Sequence, residues 1–416
     1  MLHILQCGLV DYHSHYYRET LGQIAICRDQ GVGLRLYANG KALDAILLET
    51  GAIPAFRDRP DDLMIADPPI SHLTNFITMG ERFAEDCARL GADGVGSRDI
   101  VFVPHARIRH LHGLAKWLAM LPSDTRPIVA VRFDDPDEIW LPPGPPGRLN
   151  DDKSFARFAV SELYALIPAH RLLLFATTPF LCQITTAFTG HRCVRLPIAI
   201  FNPTLKELEA LRRKSEDRRA RICIAGEFRS EKGSELVADI LIEFGRRFPG
   251  AAISLQVNRA PELDQLRAKL EENDVDIALI AQVGECSIPD HYARLLAADI
   301  VLLPYQPHRY IARGSGIFAE AAACGVPTVV PRPTWMSRQI EQGRAAGTSF
   351  DAFTVESIVE ALHRAVDALP TLTEQAQARQ ASWHAEENGA EAIRTIMREA
   401  ADAAGEGLIP AASAPL

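Results

Sequence analysis

Short apolar runs alternate with segments of helical spacing along the chain, and this alternation predicts a parallel β-sheet wrapped by helices. In the first half, the runs expected to form buried strands are Leu2–Cys7, Leu34–Ala38, Ile100–Val103, Ile128–Arg132 and Leu172–Ala176. The segments between them with helical spacing are Tyr16–Gln30, His72–Leu90, Leu111–Leu121 and Ser154–Ile167. The pattern therefore predicts the α/β fold class.

The same pattern starts again after a pause near the middle of the chain. Prolines interrupt it around Leu196–Thr204, and a polar helix is expected at Leu205–Asp217. The later strands are predicted at Arg221–Ala225, Ile253–Val257, Ile277–Ala281, Ile300–Leu303 and Thr328–Val330, with an amphipathic helix at Ser234–Phe248. We expect one Rossmann-like domain over 1–200, a second over 201–385, a closing helix over 386–404 and a disordered tail over 405–416.

Length and charge agree with a two-domain globular protein. A chain of 416 residues exceeds what one hydrophobic core usually serves. Hydrophobic residues make up 47% and charged residues 23%, which is ordinary for a folded protein in water. The net charge of −9 gives no basic field, so we expect no nucleic-acid partner.

The cysteines and the apolar runs indicate in which cellular compartment the protein is expected. The eight cysteines are scattered, with no Cys-x-x-Cys pair, which favours a reducing environment. The first residues lack the basic flank of a signal peptide, and no stretch reaches the roughly 18 apolar residues of a membrane-spanning helix. We expect a cytoplasmic protein, and peripheral contact with the inner face of the membrane stays open.

The strongest local signal is a glycine-flanked helix start, Arg313-Gly314-Ser315-Gly316, that runs into Glu320. Glycines on both sides of Ser315 allow the backbone to approach a ligand, and a helix N-terminus favours an anion. The simpler alternative is that Ser315 is an N-cap and Glu320 a surface residue. A capping box needs its acid three residues after the cap, where this chain has Phe318, so capping does not account for Glu320.

A second signal follows the strand at Arg221–Ala225, where Gly226 opens a turn that ends at Gly233. Ligands of open parallel sheets bind outside the carboxyl ends of strands, and this turn lies at such an end. Arg229 and Lys232 could neutralise a diphosphate there. Taken alone, they could equally be two solvated charges near a helix start.

The ordered series of these motifs resembles the retaining group 1, family 4-like glycosyltransferases of GT-B fold. It runs over residues 221–330 and comprises Gly226, Arg229, Glu231-Lys232-Gly233, Gly284, Ala298–Pro304, Arg313–Gly316, Glu320-Ala321 and Gly325-Val326-Pro327. The resemblance implies two Rossmann-like domains facing across a cleft. It also implies transfer of a sugar, with retention, from a nucleotide-diphosphate sugar to a hydroxyl acceptor such as a glycan, a lipid-linked saccharide or a small molecule.

The resemblance assigns roles to particular residues. Glu320 would accept hydrogen bonds from the ribose hydroxyls, Gly314, Ser315 and Gly316 would present N–H groups to the diphosphate, and Lys232 and Arg229 would compensate its charge. The implied donor-binding set is Gly226, Arg229, Lys232, Gly284, Arg313, Gly314, Ser315, Gly316 and Glu320, with the base near Val283 and Gly284. No metal or other cofactor would be obligatory, because protein cations would stabilise the leaving diphosphate.

Two positions depart from the family pattern. Many members carry a second glutamate eight residues before the one at the ribose, and this chain has Ala312 there. Many place arginine directly after the first glycine of the lysine loop, where this chain has Glu227. The sugar that the donor carries is therefore not predicted.

The first half supplies the acceptor-side candidates. His13 and His15 follow the first strand, and His105 follows the strand at Ile100–Val103. We expect these histidines to orient sugar or acceptor hydroxyls, with His13 in a catalytic role beside Lys232 and Arg229. The alternative is one exposed and one capping histidine, and no third ligand is spaced to make a metal site.

Three alternative interpretations remain open. Asp135-Pro136-Asp137 has the spacing of a divalent-cation site in the other major glycosyltransferase fold, GT-A, although that fold would leave the second Rossmann-like half unexplained. A sugar-nucleotide epimerase or hydrolase would need an acid–base pair that the sequence does not display. A non-catalytic protein that binds a nucleotide sugar or scaffolds an assembly fits Ala312.

Overall fold

The computed structural model describes residues 1–12, 15–62, 70–91, 94–135, 152–198, 204–211, 220–284 and 286–405. The predicted catalytic His13, the Pro136-Asp137 part of the acidic triplet and residues 406–416 of the expected tail lie outside them. The chain divides into two compact units. Unit 1 comprises Met1–Phe201 together with Gly389–Leu416, and unit 2 comprises Asn202–Asn388.

Unit 1 alternates strands and helices from its first residue. Its strands are β1 (Leu2–Gln6), β2 (Leu34–Asn39), β3 (Ile53–Phe56), β4 (Ile100–Val103), β5 (Ile128–Phe133), β6 (Leu172–Ala176) and β7 (Cys193–Arg195). Before the chain passes to unit 2, the helices of unit 1 are α1 (His15–Asp29), α2 (Asp44–Thr50), α3 (Ile70–Gly91), α4 (Ile108–Met120), α5 (Asp152–Leu166) and α6 (Pro179–Thr189). The seven strands form one parallel sheet in the order β3-β2-β1-β4-β5-β6-β7.

Unit 2 repeats this plan with six strands. They are β8 (Arg221–Ile224), β9 (Ala251–Val257), β10 (Ile277–Val283), β11 (Ile300–Leu302), β12 (Thr328–Pro331) and β13 (Gly347–Phe350), in the parallel order β10-β9-β8-β11-β12-β13. The helices of unit 2 are α7 (Leu205–Leu211), α8 (Val237–Arg247), α9 (Ala260–Glu272), α10 (Ile288–Ala297), α11 (Pro307–Tyr310), α12 (Gly316–Ala323), α13 (Trp335–Glu341), α14 (Val355–Asp367) and α15 (Leu369–Glu386).

The core of unit 2 lies between its central strands and two amphipathic helices. One hydrophobic cluster contains Ile240 and Leu241 of α8, Ile358 of α14, and Ile253 and Leu255 of β9, and all five side chains are fully buried. Both faces of such a sheet are covered, which is why its strands are continuous apolar runs in the sequence.

The strand order in each unit places a topological switch point beside the first strand. In unit 2 the chain leaves β8 toward β9 on one side, and β11 pairs with β8 on the other. Ligands of such sheets bind outside the carboxyl ends of the strands at this point. The loops after β8 and β11 are therefore where a ligand of unit 2 is expected.

The last helix, α16 (Gly389–Ala404), returns to unit 1 after the chain has completed unit 2. It packs on α1 and β5, and Ile393 and Ile396 are each 1% exposed. Arg192, just before β7, donates two hydrogen bonds to the Glu399 carboxylate, at 2.6 and 3.2 Å. The helix that closes the chain is thus part of the first unit.

Most predicted elements lie within a few residues of the observed ones, and one helix begins later than expected. The helix predicted from Ser234 begins at Val237, because Ser230–Lys232 forms a 3₁₀ turn that ends at Gly233. Of the predicted helix Leu205–Asp217, the structure describes the first part, α7 (Leu205–Leu211). None of the described helices is both long and apolar enough to span a membrane.

Candidate functional site

The loop after β8 folds back on itself and half-buries a lysine beneath a glycine. Gly226 has φ 92, and a β-carbon there would lie 3.0 Å from Nζ of Lys232 and 3.4 Å from Cγ1 of Ile317 on α12. Only glycine tolerates both this backbone conformation and this proximity. The predicted residues Gly226 and Lys232 therefore lie together against the first turn of α12.

Lys232 is held in a poorly solvated position. Its Nζ lies 5.9 Å from the centroid of the Tyr305 ring, and Tyr305 is 2% exposed. Burial, followed by the nearby positive charge of Arg229, lowers the pKa of Lys232 to about 8. A lysine in such a place gains from an anionic partner, because the anion stabilises its charged form.

Three arginine side chains lie around the carboxylate of Glu231, next to this lysine. Glu231 lies 3.4 Å from Arg229, 3.9 Å from Arg309 and 3.6 Å from Arg313. We call Arg229, Lys232, Arg309 and Arg313 the cation cluster. Glu231 lies within ion-pair distance of three members of the cluster, and Glu227 pairs with Arg229. The cluster is suited to an anion with more than one negative charge.

Two amides at the end of β9 hold the glycine loops together. The Gln256 side chain accepts a hydrogen bond from Gly226 N at 3.2 Å and donates one to Gly284 O at 3.1 Å. Asn258 accepts from Phe228 N and donates to Phe228 O, both at 2.9 Å. The two predicted loops, after β8 and after β10, are therefore neighbours in unit 2.

The helix start at Arg313–Gly316 has the expected form. Ser315 is the N-cap of α12, and its hydroxyl accepts a hydrogen bond from Phe318 N at 3.2 Å. Gly316 is exposed at the first helical position, and Gly314 is half-buried. Backbone N–H groups in the first turn of a helix have no acceptor within the helix, so they are available to an anion.

Glu320 is buried and oriented by a histidine. It is 2% exposed, and its Oε2 lies 2.8 Å from Nε2 of His291, which is 4% exposed. His291 comes from the first turns of α10, the helix that follows the Gly284 loop. The surface alternative for Glu320 is therefore wrong, although Ser315 does cap the helix.

Unit 1 has a buried charged network at the carboxyl ends of β4 and β5. Arg132 donates to both oxygens of Glu19, at 2.7 and 3.0 Å, and to Asp134. His105 lies between the same two carboxylates, with Nε2 2.9 Å from Glu19 and Nδ1 2.5 Å from Asp134. Two carboxylates thus face two cationic groups.

The protonation states of this network follow from its pairing. Burial opposes ionisation of Glu19, but Arg132 and His105 outweigh it and lower the Glu19 pKa to about 2. Burial also opposes protonation of His105, but Glu19 and Asp134 outweigh it and raise the His105 pKa. Both ring nitrogens of His105 face carboxylates, so the ring is suited to holding Asp134 rather than to accepting a proton.

The other described acceptor-side candidate lies beside this network. The exposed His15 begins α1, and its ring centroid lies 5.2 Å from that of His105. Tyr16 packs against both rings and donates a hydrogen bond to Asp61 at 3.2 Å. The structure thus brings His15 and His105 together.

Several residues of these two regions could not be identified from the sequence. Folding brings five such residues from other parts of the chain into the two regions: Arg309, Gln256, His291, Glu19 and Asp134. The pairing of β8 with β9 could have indicated Gln256, because a polar residue that ends an apolar strand lies beside the next loop. Within the described residues, no group of three or more His, Cys, Asp or Glu side chains is arranged to hold a metal ion.

Comparison with solved structures identifies proteins of similar fold. No protein-family model and no curated protein matches the sequence. A glycosyltransferase from Rickettsia africae superposes with a TM-score of 0.66 at 12% identity, over 97% of this chain and 98% of that one. HepE of Anabaena, solved with UDP, gives 0.60 at 13% identity, over 96% and 99%.

A third solved structure is similar over the same extent. The catalytic domain of starch synthase IV from Arabidopsis thaliana, bound to ADP and acarbose, gives a TM-score of 0.62 at 10% identity, over 97% of this chain and 99% of that one. At such low identity, these similarities establish the fold. The predicted α/β class is confirmed, and the parallel sheets of seven and six strands match those of GT-B glycosyltransferases.

Proposed function

We propose that the protein is a glycosyltransferase that takes a sugar from a nucleotide-diphosphate sugar bound to unit 2. The observation that carries this proposal is the cation cluster beside the start of α12, within a GT-B-type fold. It places positive charge and helix N–H groups near each other, at the carboxyl ends of β8 and β11. Solved structures of similar fold contain UDP or ADP, which is consistent with this site.

The individual roles follow the chemistry of the leaving group. The cation cluster and the N–H groups at Gly314–Gly316 would stabilise the diphosphate as the glycosidic bond breaks, which is the largest electrostatic demand of the reaction. Glu320 would bind the ribose, and the open side of Gly284 would face the base. With these cations, stabilisation of the leaving diphosphate would not require a metal ion. We also propose that the configuration at the anomeric carbon is retained, as the family resemblance implies.

We place the hydroxyl acceptor on unit 1, near Asp134. This carboxylate is 32% exposed while the side chains of Arg132 and His105 are 4% and 10% exposed, so it is the part of the charged network most open to a ligand. Burial opposes ionisation of Asp134, but Arg132 and His105 outweigh it and lower the Asp134 pKa, which makes the carboxylate a hydrogen-bond acceptor rather than a base. His15 would contact the same acceptor.

Donor turnover in two variants tests the proposal. Thermal-shift screening of UDP- and ADP-sugars would first identify the donor, and hydrolysis or transfer would then be measured. We expect Glu320→Ala and Lys232→Ala to abolish turnover while the protein stays folded, because each removes a donor contact. The matched exposed controls Glu271→Ala and Lys269→Ala should keep wild-type kinetics.

Two results would count against this assignment. Wild-type kinetics in both site variants would remove the donor site from this loop. Tight binding of a nucleotide sugar without turnover, across glycan, lipid-linked and small-molecule acceptors, would favour the alternative of a non-catalytic binding protein. That alternative draws on Ala312, which stands where many relatives have a glutamate.

A further inference from the structure

The Glu320 carboxylate, proposed to bind ribose, is hydrogen-bonded to His291. This histidine belongs to none of the motifs described in the sequence analysis. Nε2 of His291 donates to Oε2 of Glu320 at 2.8 Å, between α10 and α12. Both side chains are almost completely buried, with exposures of 4% and 2%. A carboxylate removed from water this far needs hydrogen-bond donors, and His291 provides one from a neighbouring helix.

The position of His291 also ties it to the loop proposed to bind the base. Helix α10 begins at Ile288, with Ser287 as its N-cap, a few residues after Gly284. Gln256 fixes that loop from the other side through Gly284 O. The loop and the carboxylate of Glu320 are thus held in one connected arrangement through the first turns of α10.

We infer that His291 is a positioning residue that gives the site its selectivity for ribose. The inference rests on the proposed function. A carboxylate has about four lone-pair positions, so the bond from His291 occupies one of them and favours one plane of Glu320 for contact with a pair of hydroxyls. Without His291, the buried carboxylate loses this donor and rotates or takes up a proton more easily, and either change weakens its preference for a diol.

A purely structural role for His291 makes a different prediction. A histidine that only filled space would, when replaced, weaken binding of every nucleotide by the same factor. A histidine that orients Glu320 affects only ligands with ribose hydroxyls. The ratio of affinities for ribose and dideoxyribose nucleotides therefore separates the two roles.

The test is isothermal titration of the full-length protein with UDP, ADP and their 2′,3′-dideoxy counterparts. For the nucleotide that the wild type prefers, we expect the ribose form to bind about tenfold or more tightly than the dideoxy form, the scale of a hydrogen bond to a charged group. His291→Leu keeps the volume and removes the donor. It should bring this ratio close to one while leaving dideoxynucleotide affinity unchanged.

Rescue and control variants complete the experiment. His291→Gln places an amide N–H near the position of Nε2 and should restore the ratio, whereas the shorter His291→Asn should not. His363→Leu replaces another buried histidine of unit 2, on α14, and should leave the ratio at the wild-type value. If His291→Leu does not fold, the comparison of the Gln and Asn variants gives the same information.

Failure of the inference differs from failure of the proposed function. An unchanged ratio in His291→Leu, or equal weakening of both ligand forms, would overturn the positioning role. A wild type that binds nucleotides and inorganic pyrophosphate without preferring ribose would overturn it too, with the anion site intact. A wild type that binds no nucleoside diphosphate and no pyrophosphate would instead reject the proposed function.

Discussion

Lys232 shows how strongly one side chain depends on its surroundings. Its ammonium group lies under Gly226 and over the ring of Tyr305, and burial lowers its pKa to about 8. The ordinary value is 10.5, so this lysine should lose its charge in mildly alkaline solution. A diphosphate would bind the protonated form, and binding should weaken as the pH rises through about 8.

This titration gives a direct prediction for nucleotide affinity. Between pH 7 and pH 9, the association constant for UDP or ADP should fall about tenfold, since the protonated fraction of a group with a pKa near 8 falls by that factor. In Lys232→Met, affinity should be low and should not follow this profile. Calorimetry with the same nucleotide on both proteins cancels the titration of the ligand, and parallel pH profiles would contradict the prediction.

At the scale of residues, the sequence identified the glycines and cations of the loops better than their partners. Gly226, Lys232, Ser315 and Glu320 lie in local motifs whose spacing is visible along the chain. His291 lies 29 residues before Glu320, and no local pattern joins them. The same is true of Glu19 and Arg132, which are 113 residues apart.

Among the elements, the short turn that ends at Gly233 controls where Lys232 can lie. Gly233 has φ 76, and a β-carbon there would lie 1.9 Å from the carbonyl oxygen of Pro304. The turn after β8 thus touches the chain just after β11. No side chain fits between these two segments.

Replacing Gly233 by alanine should therefore displace the whole turn. A left-handed alanine costs about 1 kcal/mol by itself, and the collision with backbone should raise the loss of unfolding free energy to about 3 kcal/mol. Gly343→Ala is the matched control, because Gly343 has φ 67 but its nearest neighbour to a β-carbon is 3.9 Å away. Chemical denaturation of both variants measures the difference, and equal losses would show that the contact with Pro304 is unimportant.

The apolar periodicity predicted most of the strands, but it missed three short strands and two long helices, α9 and α15. β3, β7 and β13 were not predicted, because these short strands lack the continuous apolar run that marks equally short strands such as β4 and β11. β13 begins at Gly347 and β3 contains Pro54, and both residue types are unusual in strands. Pairing with a neighbouring strand overrides these local preferences.

On the scale of the whole molecule, unit 1 is built from two distant parts of the chain. Residues up to 201 form its sheet, and α16 adds the last helix against α1 and β5. The sequence predicted a closing helix but gave no sign of the unit that it joins. Amphipathic spacing reveals that a helix has a buried face, not which surface covers it.

This arrangement predicts a selective effect of core substitutions in α16. Ile396→Ala should destabilise unit 1 by about 2–4 kcal/mol, because Ile396 is 1% exposed and the substitution leaves a cavity. Hydrogen exchange should quicken in α1 and β5 and stay unchanged in β8 and β11. Arg394→Ala, at an exposed position of the same helix, is the control. Faster exchange in both units would show that α16 supports them equally.

The return of α16 to unit 1 has a consequence for synthesis on the ribosome. Domains generally fold in the order in which they are made. Here all residues of unit 2 have been translated before α16 exists, so unit 2 has its complete set of strands and helices first. In the nascent chain, the apolar surface around α1 and β5 of unit 1 therefore stays exposed until residues 389–404 have been synthesised. The unit that is begun first is thus the last to be completed.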